Sequence, residues 1–561
     1  MAKTSASDPN AMLAEAVKLH QSGDLAAAIR LYRKLVKRFA PNAQTLYFLG
    51  TALSQQGDLI EGVYLLGQSL ALAPDQPVVW SNRAAGLQRL KRYDEALEAC
   101  ARALALDPAS ADAYVNQGNV LLDLGRYDEA LQASDQAIAV AGDFAEAHCN
   151  RGGALQMLAR RDDALAAYDR AIALEPKNGR AYSNRAAVLI ALHRPDAALA
   201  DCAQALACDG KDAEAYVNRA MAHKALGALE AAAADFDQAI LLRPDYATAH
   251  WNKALLALLR GDFATGWKGY EWRWRRPPLS AQLKKYPRPL WLGDRPLSGK
   301  TVLLHAEQGL GDTIQFCRYA PMVQAAGARV ILEVPAPLLP LMASLPGAAD
   351  MVLAADGSGL AFDLHCPLMS LPLAFATRAE NIPAASPYLS ADADHAGLWR
   401  QRLGQKKRPR IGLCWSGRAE HVDDGARSMA LDRLQDMFDL PFDFHIVQKD
   451  IRRRDQAIVA GDPRLHDHSA ALTDFADTAA LIGEMDLLLS VDSAVAHLAG
   501  AMGKPVWLLL PWLADWRWQM ARADSPWYPG MRLWRQEVAG DWAGVLDRVM
   551  ATLKRDGPPL S

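Results

Sequence analysis

Asp312 stands in Gln308-Gly309-Leu310-Gly311-Asp312, after the apolar run Thr301 to Glu307 and before an amphipathic stretch from Thr313 to Ala326. A carboxylate beside a glycine turn can take the proton of a hydroxyl nucleophile. The same side chain can instead cap the helix that follows. The turn itself, with Gly309 and Gly311, brings backbone amides and a positive helix end close to a ligand. It lacks the third glycine and the ribose-binding acid of a dinucleotide site. A second constellation is Asp492-Ser493-Ala494-Val495-Ala496-His497, where the apolar run from Leu487 enters a helix. Ser493 falls at that helix start, where free N–H groups and the helix dipole suit a phosphate. Asp392-Ala393-Asp394 has the Asp-x-Asp form of a metal-holding pair, but no apolar strand precedes it, which favours an N-cap cluster. No set of His, Cys and Asp residues has metal-ligand spacing.

These residues need a frame to hold them. From Thr301 onward, apolar runs alternate with helical stretches, the pattern of a parallel α/β sheet. Strands are expected at 301–307, 329–335, 350–354 and 362–367, followed by a Pro-rich, basic linker from Pro383 to Pro409. A second α/β unit opens with Arg410 to Cys414 and Trp415-Ser416-Gly417. Its next loop, His421 to Ser428, carries Arg427. Further strands are expected at Leu487–Asp492 and after Lys504-Pro505. Two such units with a ligand cleft between them make a two-lobed architecture. The Trp-rich tail (Trp512, Trp516, Trp518, Trp527, Trp534) reads as core and lobe–lobe packing, with a contact to the donor as the alternative.

At these residues the chain resembles a known family. Segment 490–505 is similar to the donor-diphosphate motif of bacterial heptosyltransferase-like glycosyltransferases, family nine of the inverting GT-B enzymes. Gly311-Asp312 resembles that family's N-terminal Gly-Asp motif. Residues 299–538 resemble the catalytic part of bacterial tetratricopeptide-repeat glycosyltransferases, including Trp415-Ser416-Gly417 and Ser525-Pro526-Trp527-Tyr528-Pro529. Some relatives of this kind modify flagellin, in certain cases with nonulosonic acids such as pseudaminic acid. The resemblance implies GT-B lobes at 299–395 and 408–545, with Asp312 as catalytic base. It implies a donor site of Gly309, Gly311, Trp415, Ser416, Gly417, Arg427, Asp492, Ser493, Ala494 and His497. The donor is then a nucleotide sugar, used as a co-substrate without metal or cofactor. Arg427 and the amides of Ser493 and Ala494 would stabilise the departing phosphate; for Arg427 the alternative is a surface salt bridge, and for His497 a packing role. Ala494 departs from the Gly usual in heptosyltransferases, and the helix after Asp312 lacks their early Pro.

The first half of the chain has a different logic. Asn82, Asn116, Asn150, Asn184, Asn218 and Asn252 recur every 34 residues, the period of a tandem helix–turn–helix array. Small residues follow two positions later, Ala repeats in register, and Pro41, Pro74, Pro108, Pro176 and Pro244 close most repeats, with Gly142 and Gly210 in the others. This is similar to the tetratricopeptide repeat over residues 10–275, with a linker or cap at 276–298. Trp80, Tyr114, His148, Tyr182, Tyr216 and His250, two before each Asn, read as repeat packing. Asn offers a donor and an acceptor together, so the row can hold an extended peptide backbone; a repeated structural hydrogen bond is the alternative. The row resembles the Asn ladder of eukaryotic O-linked N-acetylglucosamine transferases. Arg83, Arg151, Arg185, Arg219 and Lys253 directly after the Asn form a basic line, either solvated or attractive to an acidic partner. Trp272 to Pro278 reads as a capping turn.

Composition narrows the partners. A net charge of −3 argues against nucleic acid. The seven scattered cysteines suggest neither disulfides nor zinc. The chain start lacks signal-peptide character, and no apolar run reaches bilayer length, so a cytoplasmic location is expected. The expected activity is protein O-glycosylation of Ser or Thr, with flagellin the leading acceptor. A non-catalytic repeat scaffold and a lipopolysaccharide heptosyltransferase-like enzyme are the alternatives.

Overall fold

The computed structural model describes residues 8–346, 350–353, 360–419 and 424–559, residues 350–353 by backbone alone. The last residue of the strand expected at 350–354 and the first three of the loop expected at 421–428 lie outside the described residues. The chain forms two compact units, divided between Leu242 and Arg243.

The first unit is an array of antiparallel helix pairs, from Pro9–Gln21 with Leu25–Arg38 to Ala213–Ala225 with Leu229–Leu242. Asp24, Ser110, Asn178 and Asp212 each cap a helix by accepting a backbone N–H of its first turn, the use for which short polar side chains are favoured there. Ala96, Ala130, Ala164, Ala198 and Ala232 are fully buried, as are Ala103, Ala137, Ala171, Ala205 and Ala239. Gly152 is needed for the same close approach, because a Cβ there would lie 2.6 Å from Tyr168 Cε1. Second helices end at Leu72, Leu106 and Leu174 before the closing Pro, and at Val140 and Cys208 before Gly142 and Gly210. The end falls in one register with either residue, so inter-helix packing sets it and Pro only reinforces it.

The second unit begins with one more helix pair, Ala247–Leu259 and Phe263–Tyr270, and a 3₁₀ turn, Glu271–Arg275. Here Trp272 stacks on His250 at 3.7 Å and Arg276 lies over Trp251 at 4.0 Å, so the Trp-Arg segment is a capping turn. Two parallel sheets follow. The first contains β1 (Thr301–His305), β2 (Arg329–Val334), β3 (Asp350–Leu353) and β4 (Leu364–Pro367), in the order β3-β2-β1-β4. The second contains β5 (Arg410–Cys414), β6 (Asp443–Ile446), β7 (Leu465–Asp467), β8 (Leu487–Val491), β9 (Val506–Leu510) and β10 (Met531–Arg535), in the order β10-β9-β8-β5-β6-β7. Central β8 is buried along its whole length, Ser490 included, as expected of a strand in a parallel sheet covered on both faces. Helix Trp542–Asp556 closes one face, adding Trp542, Val545, Leu546, Val549 and Leu553 to a core with Leu413, Phe444, Leu489 and Leu509.

Three sequence expectations need correction. Strands β6, β7 and β10 are present though not among those expected, because polar residues dilute their apolar pattern. The stretch 383–409 is not simply a linker, because it contains helix Ala393–Leu403. Asp392 caps that helix, accepting the amides of Asp394 and His395, which assigns the Asp-x-Asp pair to capping. The expected helix from Thr313 to Ala326 is broken into Leu310–Phe316, a 3₁₀ turn and Ala320–Ala325; Pro321, without an N–H, interrupts the hydrogen-bond ladder and starts the last piece.

Candidate active site

The first lobe contributes the turn after β1. Gly309 precedes helix Leu310–Phe316, and Asp312 in its first turn accepts the Gly309 amide on Oδ2 at 2.8 Å. Asp312 is therefore not the N-cap of a helix from Thr313: Gly309 holds that position, and Asp312, third in the helix, closes the first turn back onto it. Its other oxygen, Oδ1, accepts Nη2 of Arg517 at 2.5 Å. Gly311 is packed against the second lobe: a Cβ there would lie 2.9 Å from His497 Cδ2 and 3.4 Å from Ala494 Cα. Only glycine lets the two turns approach so closely.

The second lobe contributes helix Ala494–Ala501, which leaves the end of β8. Ser493 is its N-cap and accepts the Ala496 amide; its hydroxyl lies 3.1 Å from that of Ser490. His497 Nδ1 is 2.9 Å from the Tyr528 hydroxyl, and its ring stacks on Trp518. Burial holds His497 well below the usual imidazole range, and Arg517, Arg318 and Arg427 push it further down. His497 is thus held neutral beside three guanidinium groups, of which Arg517 and Arg318 are already hydrogen-bonded to protein partners.

Asp492 carries the opposite signature. Burial first, and the Asp515 carboxylate next, push its carboxyl up to about 6. An unfolded Asp titrates near roughly 3.9, so the folded state binds this proton more tightly. The stability it contributes is present below that unfolded value and lost as pH rises towards 6. Asp492→Asn should therefore stabilise the protein at pH 7.5 by ~1–3 kcal/mol, with the gain vanishing near pH 4. Urea unfolding at the two pH values checks this; an equal gain at both contradicts it.

Trp415, Ser416 and Gly417 follow β5, and the first two are engaged within their own lobe. Trp415 is 1% exposed, sits in the lobe core and donates Nε1 to Asp455. Ser416 is buried and takes a hydrogen bond from Gln448 Nε2. Both hold the loop. Gly417 lies under Arg427, whose Nη2 would be 2.7 Å from a Cβ there. Arg427 Nε is buried without a hydrogen-bond partner among the described residues, and Asp424, 3.9 Å away, pairs more closely with Arg452 at 2.6 Å. With its side chain 16% exposed, Arg427 makes a long, mostly buried ion pair with Asp424 that leaves Nε without a hydrogen bond among the described residues.

Residues 453–509 match the model of glycosyltransferase family 9 (heptosyltransferase), a span that includes Asp492, Ser493, Ala494 and His497. Tetratricopeptide-repeat models match residues 13–77, 75–141, 149–213 and 213–246. The chain carries tetratricopeptide repeats and a glycosyltransferase family 9 domain. Protein FlbA of Caulobacter vibrioides is 24% identical over 328 residues, which cover 54% of this chain and 54% of that protein. The chain thus spans about half the length of that relative. Among solved structures, a tetratricopeptide repeat protein from Parabacteroides merdae is 21% identical, covering 44% of this chain and 98% of that one with a TM-score of 0.38. A thermophilic repeat protein of Thermus thermophilus is 27% identical, with coverages of 32% and 98% and a TM-score of 0.30. No helix among the described residues is long and apolar enough to cross a membrane.

In the tetratricopeptide repeats the Asn row has a structural duty. Asn116, Asn150 and Asn218 donate Nδ2 to the carbonyls of Ser81, Val115 and Ser183, one repeat earlier. Asn184 points to Cys149 Sγ and Asn82 to Thr51 Oγ1, whereas Asn252 turns to Thr248 of its own helix. Asn150 and Asn252 are buried, and Asn150 Oδ1 is taken by Arg180, which removes both from an accessible ladder. Asn82, Asn116, Asn184 and Asn218 stay partly exposed. Trp80, His148 and His250 bond to the carbonyls of Pro74, Gly142 and Pro244, so they seal repeats. The basic line is largely neutralised: Arg151 pairs with Asp135, Arg185 with Asp169 and Asp201, and Arg219 with Asp235.

Sequence reading missed Arg517, Asp515, Gln315 and Arg318 in the glycosyltransferase domain. The signal was there in Asp515-Trp516-Arg517-Trp518, where charged residues alternate with tryptophan in a run read only for its aromatic packing. Arg318, from the first lobe, donates to the Trp527 carbonyl and the Tyr388 hydroxyl and stacks on Tyr528, joining the two lobes.

Proposed function

We propose that this protein moves a sugar from a nucleotide-activated donor to a Ser or Thr hydroxyl of a protein acceptor recruited by its repeats. The chemistry is of the inverting, metal-independent GT-B type. The acceptor oxygen attacks the anomeric carbon, Asp312 takes its proton, and the bond to the departing phosphate breaks. The observation that carries this reading is the contact of the Gly311-Asp312 turn with the start of helix Ala494–Ala501. On this reading the carboxylate stands beside a helix start suited to an anion, with the Arg427 charge felt at His497. Flagellin is the leading acceptor, and a nonulosonic acid such as pseudaminic acid a candidate sugar, by resemblance to flagellin-modifying relatives. Intact-mass analysis of flagellin and other surface proteins, with and without this gene, tests the reading; no mass difference on any protein removes it.

Recruitment would use the partly exposed Asn side chains. Replacing Asn82, Asn116, Asn184 and Asn218 together by Ala should abolish co-purification of the acceptor. Each lost inter-repeat hydrogen bond costs about 1 kcal/mol of stability, so capture is measured in the cold on protein verified as helical by circular dichroism. Undiminished capture contradicts the groove.

A further inference from the structure

The Asp312 carboxylate is gripped from both lobes. Helix Leu310–Phe316 holds Oδ2 through the Gly309 amide. The second lobe holds Oδ1 through Arg517, which stands in the 3₁₀ turn Trp516–Trp518 after β9 and is 7% exposed. The other guanidinium nitrogens are also fixed, Nη1 by Asp515 Oδ1 at 2.8 Å and Nε by Gln315 Oε1 at 2.6 Å. Asp312 and Gln315 are three residues apart on one helix, so both face the same fork. Trp516 stacks on the guanidinium at 4.3 Å. A planar, fully hydrogen-bonded fork sets the orientation of a carboxylate in a way that an ammonium cannot. Each carboxylate oxygen accepts two hydrogen bonds, so one site on each remains for the acceptor hydroxyl. Lobe docking alone does not require this arrangement. Arg318 already docks the lobes through carbonyl, hydroxyl and ring contacts, without an acid.

We infer that Arg517 is the positioning residue of Asp312: it delivers the alignment of the catalytic carboxylate from the opposite lobe, so the base is assembled only when the lobes are docked. This rests on Asp312 being the base.

The test follows the full-length protein in cells lacking the chromosomal copy. The readout is the initial rate at which sugar mass appears on the acceptor, by intact mass. Arg517→Met should lower that rate by about 10²-fold, the scale of an ångström of misplacement. Arg517→Lys, which keeps charge but loses the fork, should recover only part. The double variant Asp312→Asn with Arg517→Met should be no slower than Asp312→Asn alone, since a residue acting through another is not additive with it. A wild-type rate for Arg517→Met overturns the inference, as does a double variant slower than Asp312→Asn by the whole Arg517→Met factor. Should Arg517→Met fail to accumulate as folded protein, a wild-type rate for Arg517→Lys overturns it instead. If Asp312→Asn itself transfers at the wild-type rate, the base assignment fails, and the inference with it. A slow Asp312→Asn beside a normal Arg517→Met condemns the inference alone.

Discussion

Asp312→Asn is expected to cut sugar transfer by about 10²–10⁴-fold, the usual contribution of a general base, and to leave the fold and acceptor capture in place. The amide has the shape of the carboxylate but presents two N–H donors where an acceptor is needed. One oxygen can keep either the Gly309 amide or the Arg517 guanidinium, which the native carboxylate serves together. The unserved donor costs about 1–3 kcal/mol, enough to lower the melting temperature but not to unfold a chain of this size. The decisive comparison is mass gained by the acceptor against acceptor retained on the immobilised protein. Lost mass with kept retention supports an enzyme. Undiminished mass would show that the proton leaves by another route, and a scaffold reading predicts no change in either.

The second large effect lies where the last helix pair meets the first sheet. Arg273 is fully buried and bonds Glu307 through Nε and Nη2, Glu271 through Nη1, and the Ser370 hydroxyl. Glu307 directly precedes the Gln308–Asp312 turn, and Gln308 reaches the Tyr270 hydroxyl of the same helix pair. Burial already holds the Glu307 carboxyl above the usual range, with Arg273 opposing the shift. Arg273→Met should cost about 3–5 kcal/mol, because it leaves buried carboxylates without their cation. Protonation relieves part of that cost, so the loss should be smaller at pH 5 than at pH 8. Adding Glu307→Gln to Arg273→Met should restore part of the stability at pH 8, the Glu271 carboxylate still lacking its cation. Denaturant melts of the three proteins decide it, and a pH-independent loss would mean that packing and not charge sets the cost. Trp267, Tyr270 and Phe263 are buried in the same region, with Trp267 edge-on to Phe316, Trp516 and Trp527. A catalytic fragment cut at 299 would expose this surface; one beginning at Arg243 keeps it.

Much of the architecture was legible because it is written in short-range patterns. The 34-residue period follows from helix pairs that can bury themselves only against identical neighbours. Continuous apolar runs such as Val506 to Leu510 mark strands covered on both faces. Strands β6, β7 and β10 escaped because His445, His466 and Arg532 break the pattern. The Asn row misled in a particular way. Spacing located it correctly, but an amide pointing at the preceding repeat and one pointing at a peptide have the same sequence signature.

The amino-acid sequence by itself determined the repeat period, the parallel α/β lobes and the two glycine- and serine-marked turns, since each depends on residues near one another in the chain. Only the tertiary structure decided what those turns face. Asp312 meets Arg517 across 205 residues of sequence, and no local periodicity records such a pair. Trp415 has the same identity whether it lines a cleft or fills a core, and burial alone assigned it to the core. Charge and hydrogen-bonding capacity are properties of a residue, but the partner that completes them is a property of the fold.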